Sequence, residues 1–350
     1  MPEFPTTTEA AILVRQREPL IVDRIDLPKT IEVGQVLVEM ISSGICGSQL
    51  GEIDGVKGAD PYLPHLLGHE GFAHVLAVGP GVKNIQEKDS VVLHWRPGAG
   101  IQANPPKYRW RDKPLNAGWV TTFNRHAIVS ENRCTKIPDS TDPDAAALFG
   151  CAITTGFGVV ENNANLKMGE SVVVFGAGGI GLSIVQAAAL ISAWPIIAID
   201  RFDSRLELAR TLGATHCINN NSIDAEIAIH KCLGDQPLDV FIDNTGVPEI
   251  IELGYKMSSN DGRIILVGVP HSGSKIKIHS LPLHFGKQLT GSHGGETVPH
   301  QDIPRYLRLQ RQGHLKLSRL VSAHYSIEEI NDAISAMRDG ATAGRVMIRF

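Results

Sequence analysis

The stretch VVVFGAGGIGL, residues 172–182, decides the fold. It opens with four consecutive apolar residues, Val172 to Phe175, and a continuous apolar run predicts a strand buried on both faces. A glycine-rich turn follows and leads into a stretch with the pattern of a helix. A second apolar run then ends at Asp200, 19 positions after Gly181. A strand, a glycine turn, a helix, a strand and an acid in this order are typical of a dinucleotide-binding unit.

Each residue of the G-x-G-x-x-G turn has a physical role in holding a dinucleotide. Gly176 permits the tight turn, Gly178 lets the backbone approach a pyrophosphate, and Gly181 lets the helix pack closely on the strand. Gly179 and Ile180 lie where the helix begins. The free N–H groups and the positive dipole end of that helix hold the phosphates.

Asp200 predicts which dinucleotide the chain prefers. At this distance from the glycine turn, a carboxylate accepts hydrogen bonds from the adenosine ribose hydroxyls. It repels a 2′-phosphate, so the sequence favours NAD over NADP as the cofactor. Arg201 follows directly and weakens that preference. A glycine-rich turn in an ordinary α/β domain is the alternative interpretation, and the complete strand–turn–helix–strand–acid context argues against it.

Length and composition indicate a globular protein with two domains. The 350 residues exceed what one hydrophobic core usually organises, and 43% of them are hydrophobic. The net charge of -4 suggests neither a nucleic-acid nor an acidic-membrane partner, and no apolar run is long enough to span a bilayer. The five cysteines include no C-x-x-C pair, and the N-terminus lacks a signal-peptide pattern. We therefore expect a cytoplasmic protein.

Three distant residues suggest a metal site. Cys46, His69 and Cys151 offer two thiols and one imidazole, a set that suits zinc. Three protein ligands leave a fourth position open for water or substrate, which is the arrangement of a catalytic site. Taken singly, each residue has an ordinary alternative, because cysteines are often small buried hydrophobes and histidines are often hydrogen-bonded polar residues. Spacing alone does not join residues so far apart.

The order of these motifs resembles that of the zinc-dependent alcohol dehydrogenases of the medium-chain dehydrogenase/reductase family. The resemblance extends over nearly the whole chain. It rests on GICGS at 44–48, GHEG at 68–71, GC at 150–151, GAGGIGL at 176–182, Asp200, LVGV at 266–269 and Gly344-Arg345.

The resemblance implies an α/β fold with two domains. A doubly wound parallel sheet, the Rossmann coenzyme domain, is expected over residues 153–294. A β-rich, GroES-like catalytic domain is expected over residues 1–152 and 295–350. Short apolar runs such as Val33 to Met40 agree with strands in that domain. The family also implies a homodimer, with a homotetramer as the alternative, and a small-molecule substrate.

The resemblance further implies a reaction. Cys46, His69 and Cys151 hold one catalytic zinc, and Glu70 either supports these ligands or binds the metal transiently. Ser48 takes the proton of the alcohol. A primary or secondary alcohol then transfers a hydride to NAD and gives an aldehyde or ketone.

Other residues are assigned to the cofactor and substrate by the same resemblance. Arg205 is placed at the adenosine ribose, Arg345 at the pyrophosphate and Val267 near the nicotinamide. The implied substrate-pocket residues are Trp95, Phe123 and Val269. Core or loop packing is the alternative role for the valines and the aromatic residues, and a solvated surface charge is the alternative for Arg205. The loop between Leu93 and Asn124 contains three tryptophans, Trp95, Trp110 and Trp119, which suggest a bulky or sugar-like alcohol.

The chain departs from the family pattern in several places. Gln49 stands where the family often has Asp, Gly47 where a basic residue can contact pyrophosphate, and Gly51 where some members carry a relay histidine. No cysteine occurs from 47 to 133, so we expect no structural zinc. Two rival interpretations keep the fold: a zinc-free quinone or enone reductase, and a non-enzymatic NAD-binding protein.

Overall fold

The structure is a computed structural model, and it describes residues 5–350. Its strands are β1 Thr7–Leu13, β2 Ile21–Asp26, β3 Gln35–Ile45, β4 His65–Leu66, β5 Glu70–Val78, β6 Ser90–His94, β7 Tyr108–Trp110, β8 Lys113–Leu115, β9 His126–Ser130, β10 Cys134–Ile137, β11 Val172–Phe175, β12 Ile196–Asp200, β13 His216–Asn219, β14 Val240–Asp243, β15 Arg263–Leu266, β16 Gln288–Gly291, β17 Val321–Ser326 and β18 Arg345–Arg349. Its α-helices are α1 Gly47–Asp54, α2 Pro143–Leu148, α3 Ala152–Gly158, α4 Gly179–Leu190, α5 Asp203–Leu212, α6 Ala225–Leu233, α7 Pro248–Met257, α8 Pro299–Arg311 and α9 Ile330–Arg338. Across the described residues, none of the helices has the length and apolar character needed to cross a membrane.

The chain divides into two compact units. The first contains residues up to 151, 298–311 and 321–350, and the second contains residues 152–297 and 312–320. The sequence-based boundaries place 312–320 in the catalytic domain, whereas the structure places this segment in the second unit. Lys316 explains the difference: its backbone N–H donates to Gln186 Oε1 at 2.6 Å, and its Nζ donates to the Thr211 carbonyl at 2.8 Å.

The first unit is built on two sheets. One has the order β4-β1-β2-β7-β8, and the other has the order β10-β6-β5-β3-β18-β17 with β9 paired to β3. The long strand β3 pairs antiparallel with β5, so that Ser43 lies opposite Gly71. The end of β3 and the start of β5 therefore lie side by side at the same end of the sheet. This pairing brings Cys46, just after β3, near His69, just before β5.

The second unit contains a parallel sheet of six strands with the order β13-β12-β11-β14-β15-β16. Apolar side chains from its strands, including Val173, Ile199 and Phe241, are fully buried in one core. The strand order reverses between β11 and β14. Cofactors bind at such a switch point, outside the carboxyl ends of the strands. The predicted doubly wound parallel sheet is thus confirmed.

A buried glutamate, Glu131, binds two segments of the first unit: the turn at residues 83–84, and Ile101 in the cysteine-free loop between Leu93 and Asn124. Glu131 is 1% exposed. Its Oε1 accepts from the Lys83 N–H, the Asn84 N–H and Asn84 Nδ2, each at 2.9 Å, and its Oε2 accepts from the Ile101 N–H at 2.8 Å. Burial raises the pKa of this carboxyl, but the hydrogen bonds from Ile101, Asn84 and Lys83 outweigh burial, and the pKa is lowered.

Glu131→Gln is expected to lower the free energy of unfolding by about 2 kcal/mol at neutral pH, because an amide offers one acceptor oxygen where the loop uses two. The folded pKa is depressed, so this stabilisation is present above the unfolded value of about 4.3 and is lost as pH falls through the folded value. Urea unfolding of wild type and variant at pH 7 and near pH 3 measures the loss in the free energy of unfolding. Glu87→Gln, at an exposed position, is the control. A loss of equal size at both pH values would contradict the role.

Candidate active site and metal centre

Cys46, His69 and Cys151 come together in the first unit. The two cysteine Sγ atoms lie 4.0 Å apart, and the ligand atoms of all three residues lie within 4.8 Å of one another. Cys46 caps the start of α1, and both cysteines are 4% exposed. Gly150 permits the approach of Cys151, because a Cβ at that glycine would lie 2.2 Å from the Leu93 carbonyl oxygen.

The imidazole of His69 is oriented by Gln49. The Oε1 atom of Gln49 accepts from the Cys46 N–H at 2.7 Å, and its Nε2 contacts Nδ1 of His69. The other ring nitrogen, Nε2 of His69, is buried and has no hydrogen-bond partner within residues 5–350. Buried polar atoms are normally paired, so an unpartnered imidazole nitrogen beside two thiols fits a metal ligand. Zinc suits this donor set.

The three side chains influence one another electrostatically. The Cys151 thiol donates a hydrogen bond to the Cys46 sulfur. This hydrogen bond and the charge of Arg345 outweigh the effect of burial, so the pKa of Cys46 is lowered. The same bond and burial raise the pKa of the Cys151 thiol. Burial opposes the imidazolium form of His69, but its interaction with the Cys46 sulfur and the negative charges of Cys46 and Glu70 prevail and raise its pKa. The site therefore favours a thiolate at Cys46.

Arg345 pairs with Glu70, a partner that the sequence did not indicate. Its Nε lies 2.9 Å from Oε1 of Glu70, and its Nη2 donates to Oε2 at 3.3 Å. Arg345 is 3% exposed and Glu70 is 0% exposed. The resemblance placed Arg345 at the pyrophosphate, and that assignment stays a prediction; within the first unit its partner is Glu70. Gly44 makes room for the pair, since a Cβ there would lie 2.0 Å from Oε1 of Glu70.

Ser48 lies in the first turn of α1, two residues after Cys46. Its Oγ is buried, and in the described part of the chain it has no hydrogen-bond partner. A buried hydroxyl without a protein partner is available to a substrate group. The geometry is compatible with the proton-accepting role that the resemblance implies.

The predicted substrate-side residues lie in different environments. Phe123 is 0% exposed and packs in a core with Leu13, so its predicted place in the pocket is wrong. Its backbone is hydrogen-bonded on both sides, which fixes the ring inside the first unit. Trp95 is half-buried. In the second unit, Val267 is half-buried just after β15, and Val269 is 50% exposed.

The glycine-rich turn of the second unit has the shape of a phosphate cradle. Gly176 has a φ of +91° and makes the sharp turn after β11. A Cβ at Gly178 would meet no atom within 4 Å, whereas one at Gly181 would lie 2.0 Å from the Gly176 carbonyl oxygen. The open space at Gly178 lies beside the start of α4, where Gly179 and Ile180 stand. A dinucleotide pyrophosphate fits this arrangement.

Asp200 ends β12 and is 6% exposed. Its Oδ2 accepts from the Ala177 N–H at 2.8 Å, and its Oδ1 accepts from the N–H groups of Arg201 and Phe202 at 2.8 and 3.1 Å. Nη1 of Arg205 lies 3.7 Å from Oδ2. The two residues predicted at the ribose are therefore neighbours. The sequence alone did not reveal that Asp200 also holds the glycine turn in place.

Comparisons with known proteins give the family. The family model described as alcohol dehydrogenase GroES-like domain matches residues 32–139, and the one described as zinc-binding dehydrogenase matches residues 179–311. An S-(hydroxymethyl)glutathione dehydrogenase from Escherichia coli is 30% identical over 380 residues, covering 98% of this chain and 100% of the relative. The chain belongs to the zinc-dependent alcohol dehydrogenases of the medium-chain family. The predicted resemblance and the predicted GroES-like domain are thereby confirmed.

Two further relatives of this alcohol dehydrogenase span nearly its whole length. The NDMA-dependent alcohol dehydrogenase of Amycolatopsis methanolica is 29% identical over 362 residues, covering 95% of this chain and 96% of the relative. The crystal structure of benzyl alcohol dehydrogenase from Acinetobacter calcoaceticus has a TM-score of 0.88 and 28% identity, and the match covers 99% of this chain and 100% of that one. This alcohol dehydrogenase is thus an oxidoreductase of a family that uses zinc and a nicotinamide cofactor.

Proposed function

We propose that the protein interconverts an alcohol and its aldehyde or ketone with NAD, at one zinc ion held by Cys46, His69 and Cys151. The observation that carries the proposal is the convergence of two thiols and an unpartnered imidazole nitrogen within 4.8 Å. When bound, zinc supplies Lewis acidity toward a hydroxyl group, and NAD supplies the hydride acceptor.

The residues around this centre divide the remaining work. Ser48 receives the proton of the alcohol at its Oγ, to which no group among residues 5–350 donates, and it passes its own hydroxyl proton on. Gly51 offers no side chain for a relay, so the proton leaves Ser48 through water. Gln49 orients His69, and the Arg345 guanidinium neutralises Glu70. The glycine turn and the start of α4 bind the pyrophosphate.

The substrate that fits best is a bulky primary or secondary alcohol, aromatic or sugar-like. Of the three tryptophans in the loop between Leu93 and Asn124, Trp95 is the one that we propose to line the substrate pocket. Trp110 is instead held against strand β2, because its Nε1 donates to Asp23 Oδ2 at 2.8 Å. A benzyl alcohol dehydrogenase among the similar structures supports an aromatic substrate. We also propose a cytoplasmic homodimer, on the family resemblance alone.

Asp200→Ser is expected to lower the ratio of kcat/KM for NAD to that for NADP by roughly tenfold, which corresponds to about 1.4 kcal/mol. The substitution removes the carboxylate that repels a 2′-phosphate and accepts from the ribose. Steady-state kinetics with both cofactors measure the ratio. Asp203→Ser removes a neighbouring exposed carboxylate and serves as the control. If the ratio were the same in wild type and Asp200→Ser, the ribose assignment would fail.

Metal analysis with an alcohol screen tests the proposed function directly. Protein purified without added metal is expected to contain about one zinc per chain and to reduce NAD with at least one bulky alcohol. Two zinc ions per chain would show that the cysteine-free loop holds a metal after all. A protein without zinc that still binds NAD tightly would favour the zinc-free reductase or the binding protein.

A further inference from the structure

Asp243 is a buried carboxylate for which the proposed mechanism has no use. It ends β14 and is 0% exposed. Its Oδ1 accepts from the Thr245 N–H at 2.9 Å and from Thr245 Oγ1 at 2.6 Å, and its Oδ2 accepts from the Gly246 N–H at 2.9 Å. Three donors from one short loop thus converge on this side chain. Burying a carboxylate is unfavourable unless such bonds compensate, so the loop and the carboxylate depend on each other.

The main chain of Asp243 holds a second loop. Its carbonyl oxygen accepts from the Val267 N–H at 2.8 Å and from the Gly268 N–H at 2.9 Å. The loop after β14, residues 244–246, and the loop after β15, residues 267–270, also interlock. A Cβ at Gly268 would lie 2.2 Å from the Gly246 nitrogen, and one at Gly246 would lie 2.7 Å from the Val269 carbonyl carbon. A shift of the first loop therefore moves the second.

Each loop follows the carboxyl end of its strand. The two loops lie on one side of the switch point, and the glycine turn lies on the other. A Cβ at Gly176 would lie 3.2 Å from Cβ of Asn244 and from Cγ2 of Thr245. Asn244 also donates from Nδ2 to the Phe175 carbonyl at 3.3 Å. The loop at 244–246 is thus the wall that faces the phosphate cradle.

A dinucleotide in a doubly wound sheet spreads over the switch point, with one mononucleotide half on each side. Asp200, at the end of β12, assigns the adenosine half to the β12 side of the proposed site. The β14 and β15 side, where the two loops lie, is left for the nicotinamide half.

We propose that Asp243 is a positioning residue for the nicotinamide half of the cofactor. It acts through the two loops, to which its side chain and carbonyl make five hydrogen bonds. The proposal rests on the proposed function, because it takes NAD as the cofactor. It predicts that a substitution at Asp243 weakens binding of the nicotinamide half more than binding of the adenosine half.

Asp243→Asn tests the proposal without any need for turnover. The amide keeps the size of the carboxylate, but its NH2 group must face a backbone N–H that now has no acceptor. The Kd of NADH, measured by its fluorescence, is expected to rise about tenfold, the effect of one weakened charge-assisted contact. The Kd of ADP-ribose, which keeps the pyrophosphate but lacks nicotinamide, is expected to rise by no more than about threefold by calorimetry. Thr245→Val removes the bond from Thr245 Oγ1 to Asp243 and the bond that Oγ1 accepts from the Val247 N–H at 3.2 Å, and it is expected to shift NADH affinity in the same direction by a smaller factor.

Asp239→Asn is the matched control. Asp239 precedes the same strand at its opposite end, where Oδ2 accepts from the Ser171 N–H at 2.8 Å and from Ser171 Oγ at 3.0 Å. We expect this variant to lose thermal stability while the ratio of the two Kd values stays unchanged. Equal losses for NADH and ADP-ribose in Asp243→Asn would overturn the proposal, as would an unchanged NADH affinity in both Asp243→Asn and Thr245→Val. A wild type that binds neither ligand would instead overturn the proposed cofactor.

Discussion

Cys151→Ala is expected to leave the protein without zinc and to reduce alcohol-dependent turnover by at least about a hundredfold, since loss of an outer partner of a metal ligand already costs 10- to 100-fold. The Sγ of Cys151 lies 4.0 Å from that of Cys46, so the substitution removes one of the two thiols from the set of three ligands. Two remaining protein ligands do not complete the arrangement that a catalytic zinc requires. Metal content by mass spectrometry and initial rates on the same preparation measure both effects.

Cys134→Ala is the matched control for that experiment. Cys134 is another buried thiol of the first unit, 4% exposed, and its Sγ donates to the Ser130 carbonyl at 3.7 Å. Cys134 does not belong to the group of ligand atoms formed by Cys46, His69 and Cys151, so it has no part in the proposed metal site. We expect its zinc content and turnover to match wild type. A Cys151→Ala protein that retains one zinc per chain would show that the ligand assignment is incorrect.

Gln49→Glu is expected to tighten zinc binding about 10- to 100-fold. When Nε2 of His69 gives its lone pair to the metal, the ring carries its proton on Nδ1, which faces Gln49. The Cys46 N–H points at the same side chain at 2.7 Å. Gln49 then stands between two donors, and an amide presents an acceptor at only one of its ends. A carboxylate of the same length accepts from both.

Competition with a chromophoric chelator measures this affinity without an activity assay. Gln49→Met, which keeps the length but offers neither amide group, is expected to bind zinc more weakly than wild type, because neither donor then has a strong acceptor. The order of affinity is therefore Glu, then Gln, then Met. A Gln49→Glu protein that binds zinc no more tightly than wild type would remove the basis for this argument.

The second unit could be predicted from the sequence because its signals are local. The apolar run from Val172 to Phe175 is strand β11 with the same limits, and the turn glycines occupy the positions that the fingerprint assigns. A buried parallel strand is a continuous apolar run, and a tight turn requires glycine. What the sequence did not show is the role of Asp243, because two of the three donors to its carboxylate are backbone N–H groups, which leave no mark on residue type.

The first unit was harder because its signals are long-range. The apolar run predicted a strand ending at Met40, yet β3 continues to Ile45. The added residues include Ser43, a buried serine whose Oγ bonds to the Glu70 carbonyl at 3.0 Å, and periodicity does not reveal a buried hydrogen-bonded serine. Phe123 was misplaced, and the Glu70 partner of Arg345 was not foreseen, for a related reason. A family position gives the identity of a side chain, whereas its partner depends on which strands pair.

The Glu70–Arg345 pair bears on how such a protein is assembled in the cell. In the proposed loaded form, the divalent cation and the guanidinium cancel the two thiolates and the carboxylate. Before loading, Cys151 keeps its proton, and the negative charges of Cys46 and Glu70 face the Arg345 guanidinium and the His69 imidazole, whose pKa is raised. Glu70 and Arg345 remain bound at 2.9 Å. The interior thus avoids a large uncompensated charge in either form, which is the condition that makes buried ions tolerable. We therefore expect the polypeptide to fold first and to acquire its metal afterwards, so that metal supply sets how much of the protein is active rather than how much of it is folded.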